Sequence, residues 1–311
     1  MSAEIKVPAE SGLQAILTKG DFAVTAELNP PPAGVPDAVL RDATMFRGQV
    51  DAVNVTDGAG ARSHMSCLAV SALLIAQGVE PVIQFTCRDR NRIALQGDLL
   101  GAAALGVRNV LFMTGDDPKA GDQPETKPVF DLNSGQLISM TRAMRDQSEL
   151  PSGRKIEGAP NLFLGAADTP MDPAPNWAPD GLTAKADAGA QFVQTQFCFD
   201  MDILTRYMAR LVDAGITERL SFIMGMGPMA SAKSARWMRD NLWGVIIPDH
   251  LIERLERAED QKAEGHKICV ELIQQLAEIE GVAGTHVMAI RQEAAIPGIL
   301  ASAGVGPAHR V

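Results

Sequence analysis

The stretch Asn109–Gly135, NVLFMTGDDPKAGDQPETKPVFDLNSG, decides how the rest of the chain is read. It opens as an apolar run, Asn109–Thr114, of the residue types that fit a buried strand. The run stops at Gly115-Asp116-Asp117-Pro118, and polar residues and prolines follow until a helical pattern begins near Ser134. A buried strand therefore delivers a glycine and a carboxylate to an exposed end, with a long connection after it. Connections beyond about 12–15 residues are uncommon and tend to be functional or disordered.

Outward from this stretch, short apolar runs alternate with amphipathic segments. The expected strands are Phe22–Asn29, Asp51–Asp57, Glu80–Cys87, Asn109–Asp116, Asn161–Asp168, Phe192–Asp200, Arg219–Gly227 and Gly284–Ile290. Helical patterns lie between them at Pro36–Phe46, Ser63–Gln77, Asn91–Leu105, Ser134–Gln147, Leu182–Ala188, Asp202–Ala214 and Ser231–Asp240, with one long helix within Pro248–Ile279. Gly78, Gly106, Gly189, Gly215 and Gly281 stand where helices should stop before the next strand. The first three units begin about 29 residues apart, close to what a bare βα unit needs. Strand–helix alternation without linker composition predicts one α/β domain over residues 1–311, a parallel eight-stranded (βα)8 TIM barrel. A doubly wound open sheet is the alternative.

The 311 residues are 46% hydrophobic, enough for a sizeable core. The net charge is −10, and no Lys/Arg cluster is interleaved with aromatics, so no nucleic acid is expected as a partner. No run approaches the ~20 apolar residues of a membrane span, and MSAEIKVPAES at the start has no apolar leader, so a cytoplasmic protein without a membrane partner is expected. Cys67, Cys87, Cys198 and Cys269 show no zinc spacing and read as buried structural thiols, so no metal is expected.

In such a barrel, chemistry belongs at the C-terminal ends of the strands. The polar residues there are Glu27 and Asn29, Thr56 and Asp57, Gln84 and Thr86, Asp116, Asp168, Gln196 and Asp200, with His286 on the last strand. A carboxylate within FAVTAELN is costly unless paired or neutral. A buried carboxyl can serve as a general acid, so Glu27 is a candidate proton donor; an ion pair or backbone donors would equally satisfy it. Asp116 is a candidate site carboxylate or a turn cap. Gln194 and Gln196 alternate, so both can point inward, and an amide suits the edge of a heterocycle. Lys185, read as opening its helix, would meet a phosphate or solvent. Asn133-Ser134 reads as a helix start that caps itself and can hold a phosphate. The Gly225–Gly227 GMG permits close backbone approach. His286 reads as a satisfied core histidine. No Walker or GxGxxG motif follows a strand, so a Rossmann cofactor fold is unsupported.

AELNPPP at Ala26–Pro32, NVTDGAG at Asn54–Gly60, GDDP at Gly115–Pro118, DAGAQFVQTQFCFD at Asp187–Asp200 and GMGP at Gly225–Pro228 occur in this order across nearly the whole chain. Together they resemble the bacterial 5,10-methylenetetrahydrofolate reductases. The resemblance implies a (βα)8 barrel with FAD at its C-terminal face, NADH or NADPH as hydride source and a folate as substrate. It implies that Glu27 is the general acid and that Asp116 lies near flavin and pterin. Gln196 would contact the folate, and Thr56, Gln84, Thr114, Gly115, Ser134 and Lys185 would face the cofactor. The chain departs from the family's pattern at Gln84 (a histidine), Thr114 (an arginine), Ala184 (an arginine), near Gly165 (a tyrosine) and near Ala232 (a folate-stacking phenylalanine). Three other functions fit the same barrel: a flavin-free reductase, a pterin barrel transferring a methyl group without redox chemistry, and a subunit needing a partner for electron delivery. Homo-oligomerisation is left open.

Overall fold

A computed structural model describes residues 10–310, so the ends of the expected domain, including most of the leading peptide, lie outside the described residues. Eight parallel strands close into one barrel in sequence order: β1 (Ala23–Leu28), β2 (Ala52–Val55), β3 (Pro81–Thr86), β4 (Asn109–Met113), β5 (Phe163–Asp168), β6 (Phe192–Phe197), β7 (Ser221–Met226) and β8 (Val282–Val287). Both faces of most strands are buried, one by the barrel lumen and one by helices. This is why they read as continuous apolar runs rather than alternating ones.

The helices are α1 (Gly12–Lys19), α2 (Asp37–Phe46), α3 (Cys67–Ala76), α4 (Arg92–Ala104), α5 (Ser134–Gln147), α6 (Asp180–Ala188), α7 (Met201–Asp213), α8 (Ala232–Asn241), α9 (Asp249–Arg257), α10 (Gln261–Ala277) and α11 (Ile296–Ala303). α7 shows how sequence makes them: Asp200 accepts a hydrogen bond from Ile203 N, and Leu204, Tyr207, Met208 and Leu211 form one buried stripe. The five helix-stop glycines all have positive φ.

Several boundaries differ from expectation. β4 ends at Met113 and β6 at Phe197, so Thr114–Asp116 and Asp200 lie in connections; Asp200 starts α7. β8 sits slightly earlier than Gly284–Ile290. The long helix is two, because Asp260 caps a new start by accepting from Ala263 N at 3.0 Å while Ala258 is extended. α1 and α11 add to the eight expected units. At the end of the chain, Arg310 is tied to Asp51 and to the Phe22 carbonyl (2.9 Å).

The two ends of the barrel are built differently. Ala23, Ala52, Val82, Leu111, Phe163, Phe192 and Ile223 form a separate apolar cluster that Leu13 and Leu17 of α1 close from below. The rings of Phe163 and Phe192 stack at 4.8 Å. A Cβ on Gly165 would lie 2.3 Å from the Phe192 ring, so that ring occupies the room a side chain at 165 would need.

Candidate active site

Two residues further along the strands, the lumen turns polar. Gln194 of β6 donates to Thr25 Oγ1 of β1 (3.0 Å) and Asn54 Oδ1 of β2 (3.1 Å), and its own Oε1 accepts from Asn54 Nδ2 at 2.5 Å. β6 does not neighbour β1 or β2, so these bonds cross the lumen. Thr25 Oγ1 lies 2.9 Å from His286 Nδ1. Gln194 therefore points inward, as its alternation implies.

Two more residues along β1 is Glu27. It is one-fifth exposed and makes no hydrogen bond among the described residues; His286 Nε2 lies 3.8 Å from its Oε2. Gln84 on β3 is buried and likewise has no side-chain partner among the described residues. Gln196 accepts from Phe197 N at 3.0 Å, leaving its amide hydrogens free among those residues. Thr56 donates to Asn29 Oδ1 at 2.8 Å. Glu27, Thr56, Gln84 and Gln196 thus come together at one rim, because all strands run parallel.

Other strand-end residues serve the scaffold. Asp57 is consumed by Thr86 N (2.9 Å), Thr86 Oγ1 (3.0 Å) and Arg90. Asp168 accepts from Lys185 Nζ (3.1 Å) and Tyr207. Burial, with Asp168 alongside, raises the Tyr207 phenol above its usual pKa. Lys185 also donates to the Ala167 carbonyl at 2.7 Å and sits in the last turn of α6, not at its start. Here it is held by a carboxylate. The GMG glycines admit neighbouring backbone: a Cβ on Gly225 would lie 2.4 Å from the Thr195 carbonyl oxygen, and one on Gly227 2.1 Å from that of Met288. The four cysteines are free and buried, and burial pushes the Cys269 thiol up to about 12.

Asp116 is exposed and accepts from Gly60 N at 2.9 Å, joining the loops after β4 and β2. Among the described residues the basic group within ion-pair range of Glu27 is His286. Gly115 has φ +94, and a Cβ there would meet Thr86 Cβ at 3.0 Å and Arg88 Cβ at 3.1 Å. Arg88, which the sequence does not single out, lies beside these loops. It is buried, held by Asp89 through two 2.7 Å bonds, and reaches the carbonyls of Gly58 (3.1 Å) and Asp116 (3.5 Å). Thr114, where the resemblance implies an arginine, thus has a guanidinium beside its loop from position 88. The one available signal was an arginine directly after a buried strand in CRDRN. At the start of α5, Asn133 and Gln136 form a reciprocal capping box, as expected, leaving the Ser134 and Gly135 amides to other acceptors.

A cleft of about 730 Å³ opens at the rim beside β6, β7 and β8, walled by Phe197, Trp237, Met288 and Ile290 and edged by Arg62 and Lys262. Ala232 is buried in α8, and Trp237 on that helix is the aromatic residue that faces the cleft. A second, polar cavity of about 310 Å³ lies between the loops after β2, β3 and β4, against Arg62, His64 and Arg88.

A closed parallel barrel with an apolar floor and unpartnered polar groups at its C-terminal rim has the construction of a barrel enzyme. The chain matches the methylenetetrahydrofolate reductase family over residues 12–304, and it belongs to that family. It is 26% identical over 287 residues to a probable methylenetetrahydrofolate reductase (NADPH) of Caenorhabditis elegans, covering 88% of this chain and 40% of that one. The chain thus spans about two fifths of the nematode relative. It is 26% identical over 263 residues to the 5,10-methylenetetrahydrofolate reductase of Salmonella typhimurium, covering 82% and 81% of the two chains. In fold it is similar to an uncharacterized Clostridium thermocellum protein that binds two copies of 5-methyl-5,6,7,8-tetrahydrofolic acid, with TM-score 0.63, 13% identity and coverage of 92% and 97%. Among the described residues no helix is long and apolar enough to cross a membrane.

Proposed function

We propose that this chain reduces 5,10-methylenetetrahydrofolate to 5-methyltetrahydrofolate with hydride originating from NADH or NADPH. The observation that carries this most directly is Glu27: a carboxyl inside the lumen, mostly buried and without a hydrogen-bond partner among the described residues. An unsatisfied interior carboxyl is costly unless it has a task or a ligand.

The bridging carbon must leave N10 before it can accept hydride. Glu27 donates its proton to N10 as the C–N10 bond breaks, and the N5 lone pair forms the iminium. Hydride addition to that carbon then gives the methyl group. Gln196 holds the pterin edge with its free amide hydrogens. Phe197 and Trp237 provide apolar walls for the aminobenzoyl portion, and Arg62 and Lys262 meet its carboxylate end. Asp116, through the Gly60–Asp116 bond, holds the loops after β4 and β2 together.

The cofactor we favour is FAD, which when bound supplies a two-electron carrier between nicotinamide and folate. The free amide of Gln84, the side-chain-free approach at Gly115, and Thr56 and Thr114 fit the ring end. The Ser134 and Gly135 amides fit a phosphate. Lys185 is held by Asp168 and the Ala167 carbonyl, so a phosphate there would compete with that carboxylate. This ion pair is also the observation favouring the second reading, a flavin-free reductase with direct hydride transfer.

The deciding experiment follows NAD(P)H oxidation with and without methylenetetrahydrofolate, identifies the folate product, and records absorbance near 450 nm after reconstitution with FAD. Folate-dependent oxidation yielding 5-methyltetrahydrofolate with a retained flavin spectrum is expected. The same turnover without flavin selects the second reading, and no folate-dependent oxidation under either condition overturns both.

A further inference from the structure

His286 is 3% exposed, and two neighbours face its ring nitrogens. On one side is Thr25, fully buried, whose oxygen receives a hydrogen from Gln194. Gln194 exchanges two bonds with Asn54, and its Nε2 is the atom that reaches Thr25. A threonine hydroxyl has one hydrogen to give. If His286 Nδ1 also donated to Thr25, that hydrogen would be buried without an acceptor, at a cost of about 1–3 kcal/mol. Donation from Thr25 to Nδ1 leaves nothing unpaired. On the other side, Nε2 faces Glu27 Oε2 at 3.8 Å, where a hydrogen on Nε2 is attracted to a proton-free carboxyl oxygen. In register, β1 sets Thr25 against His286 and β7 sets Gly225, which has no side chain. Among the described residues, Glu27 is the ionisable group facing this histidine.

We propose that the Gln194–Asn54 pair, acting through Thr25, holds His286 as the neutral Nε2–H tautomer, making it a positioning residue for Glu27. The inference rests on Glu27 being the proton donor. An imidazolium beside Glu27 would favour its ionised form and so deprive it of the proton it must deliver. A neutral Nε2–H instead aims one hydrogen at Oε2 and leaves the other oxygen to carry the proton given to N10. Once that proton has gone, the same hydrogen meets the carboxylate. The chain of bonds ends at an amide pair inside the barrel, so it orients rather than conducts.

The test is nitrogen-15 NMR of the full chain labelled at histidine, with His286 assigned from its absence in His286→Asn. At neutral pH the expected spectrum has a proton-free Nδ1 and a protonated Nε2. A protonated Nδ1, whether as the other tautomer or as imidazolium, overturns the proposal. Gln194→Glu places a carboxylate acceptor opposite Thr25, which turns the Thr25 hydrogen away and lets Nδ1 carry one. The Nδ1 signal should then shift to its protonated position. The folate-dependent rate should fall by about tenfold, with the KM for NAD(P)H unchanged. Thr25→Val, of nearly equal size, serves if that variant does not fold, and its Nδ1 signal must also move. An unmoved Nδ1 signal in a folded variant overturns the relay. The expected tautomer together with full folate turnover in Glu27→Gln would instead defeat the assignment of Glu27 and leave the tautomer standing.

Discussion

Along β1, Ala23 lies in the apolar floor, Thr25 in a buried hydrogen-bond network, and Glu27 at the rim with no hydrogen bond among the described residues. The same progression holds on β6, from Phe192 through Gln194 to Gln196. On these two strands, floor and rim positions are four residues apart on one face. They differ in whether their needs are met inside the protein. At the floor, rings stack and a helix closes the end. At the rim, Glu27, Gln84 and the Gln196 amide are left for something that enters. Stability and chemistry are thus separated along the barrel axis, and substitutions at the two levels should have separable effects.

The largest effect on stability belongs to the floor. Phe192→Ala removes a fully buried ring that packs on Phe163 and fills the space above Gly165. It should destabilise by about 3–5 kcal/mol in denaturant titration. Activity per folded molecule should stay within about twofold; a parallel collapse of activity in the folded fraction would break the separation.

Lys185, on α6, is held at the end of β5 by Asp168. If it leaves Asp168 for a cofactor phosphate, Lys185→Met removes a charge-assisted hydrogen bond. FAD affinity should then weaken by about tenfold in fluorescence titration. Unchanged affinity would confine Lys185 to the scaffold.

The smallest effect comes from the outer surface, where Arg92 holds Asp131 at 2.8 Å and draws its carboxyl down from 3.8 to about 2. A depressed carboxyl pKa stabilises the fold above its unfolded value, and the contribution disappears as pH falls through the folded one. Asp131→Asn should therefore lower Tm slightly at pH 5–7, with the difference shrinking between pH 4 and pH 2. A difference persisting below pH 2 would mean that something other than this ion pair is lost.

Much of this was legible in sequence because it is local. Most strands are contiguous apolar runs, five helix stops are marked by a glycine, and Glu27 stands out as a charge among apolar neighbours. What could not be read depends on residues distant in the chain. Gln194 and Thr25 are 169 positions apart, and nothing near either one announces the other. Position 286 looked like core filling until the barrel closed and set it against Glu27. Asp57 and Asp168 look like site carboxylates by location, and only their partners, Arg90 and Lys185, show them to be structural. The break between α9 and α10 is hard to read because one N-cap aspartate, Asp260, interrupts an otherwise helical pattern.

The most direct test of the central claim is Glu27→Gln, which keeps size and amide hydrogen bonding but has no proton to donate to N10. Loss of a general acid costs typically 10²–10⁴-fold in the step that needs it. Folate-dependent NAD(P)H oxidation should fall by at least ~100-fold, while Tm and the affinity for NAD(P)H stay close to those of the unaltered protein. Near-normal conversion of methylenetetrahydrofolate by the folded variant would contradict the account and remove Glu27 as the proton source.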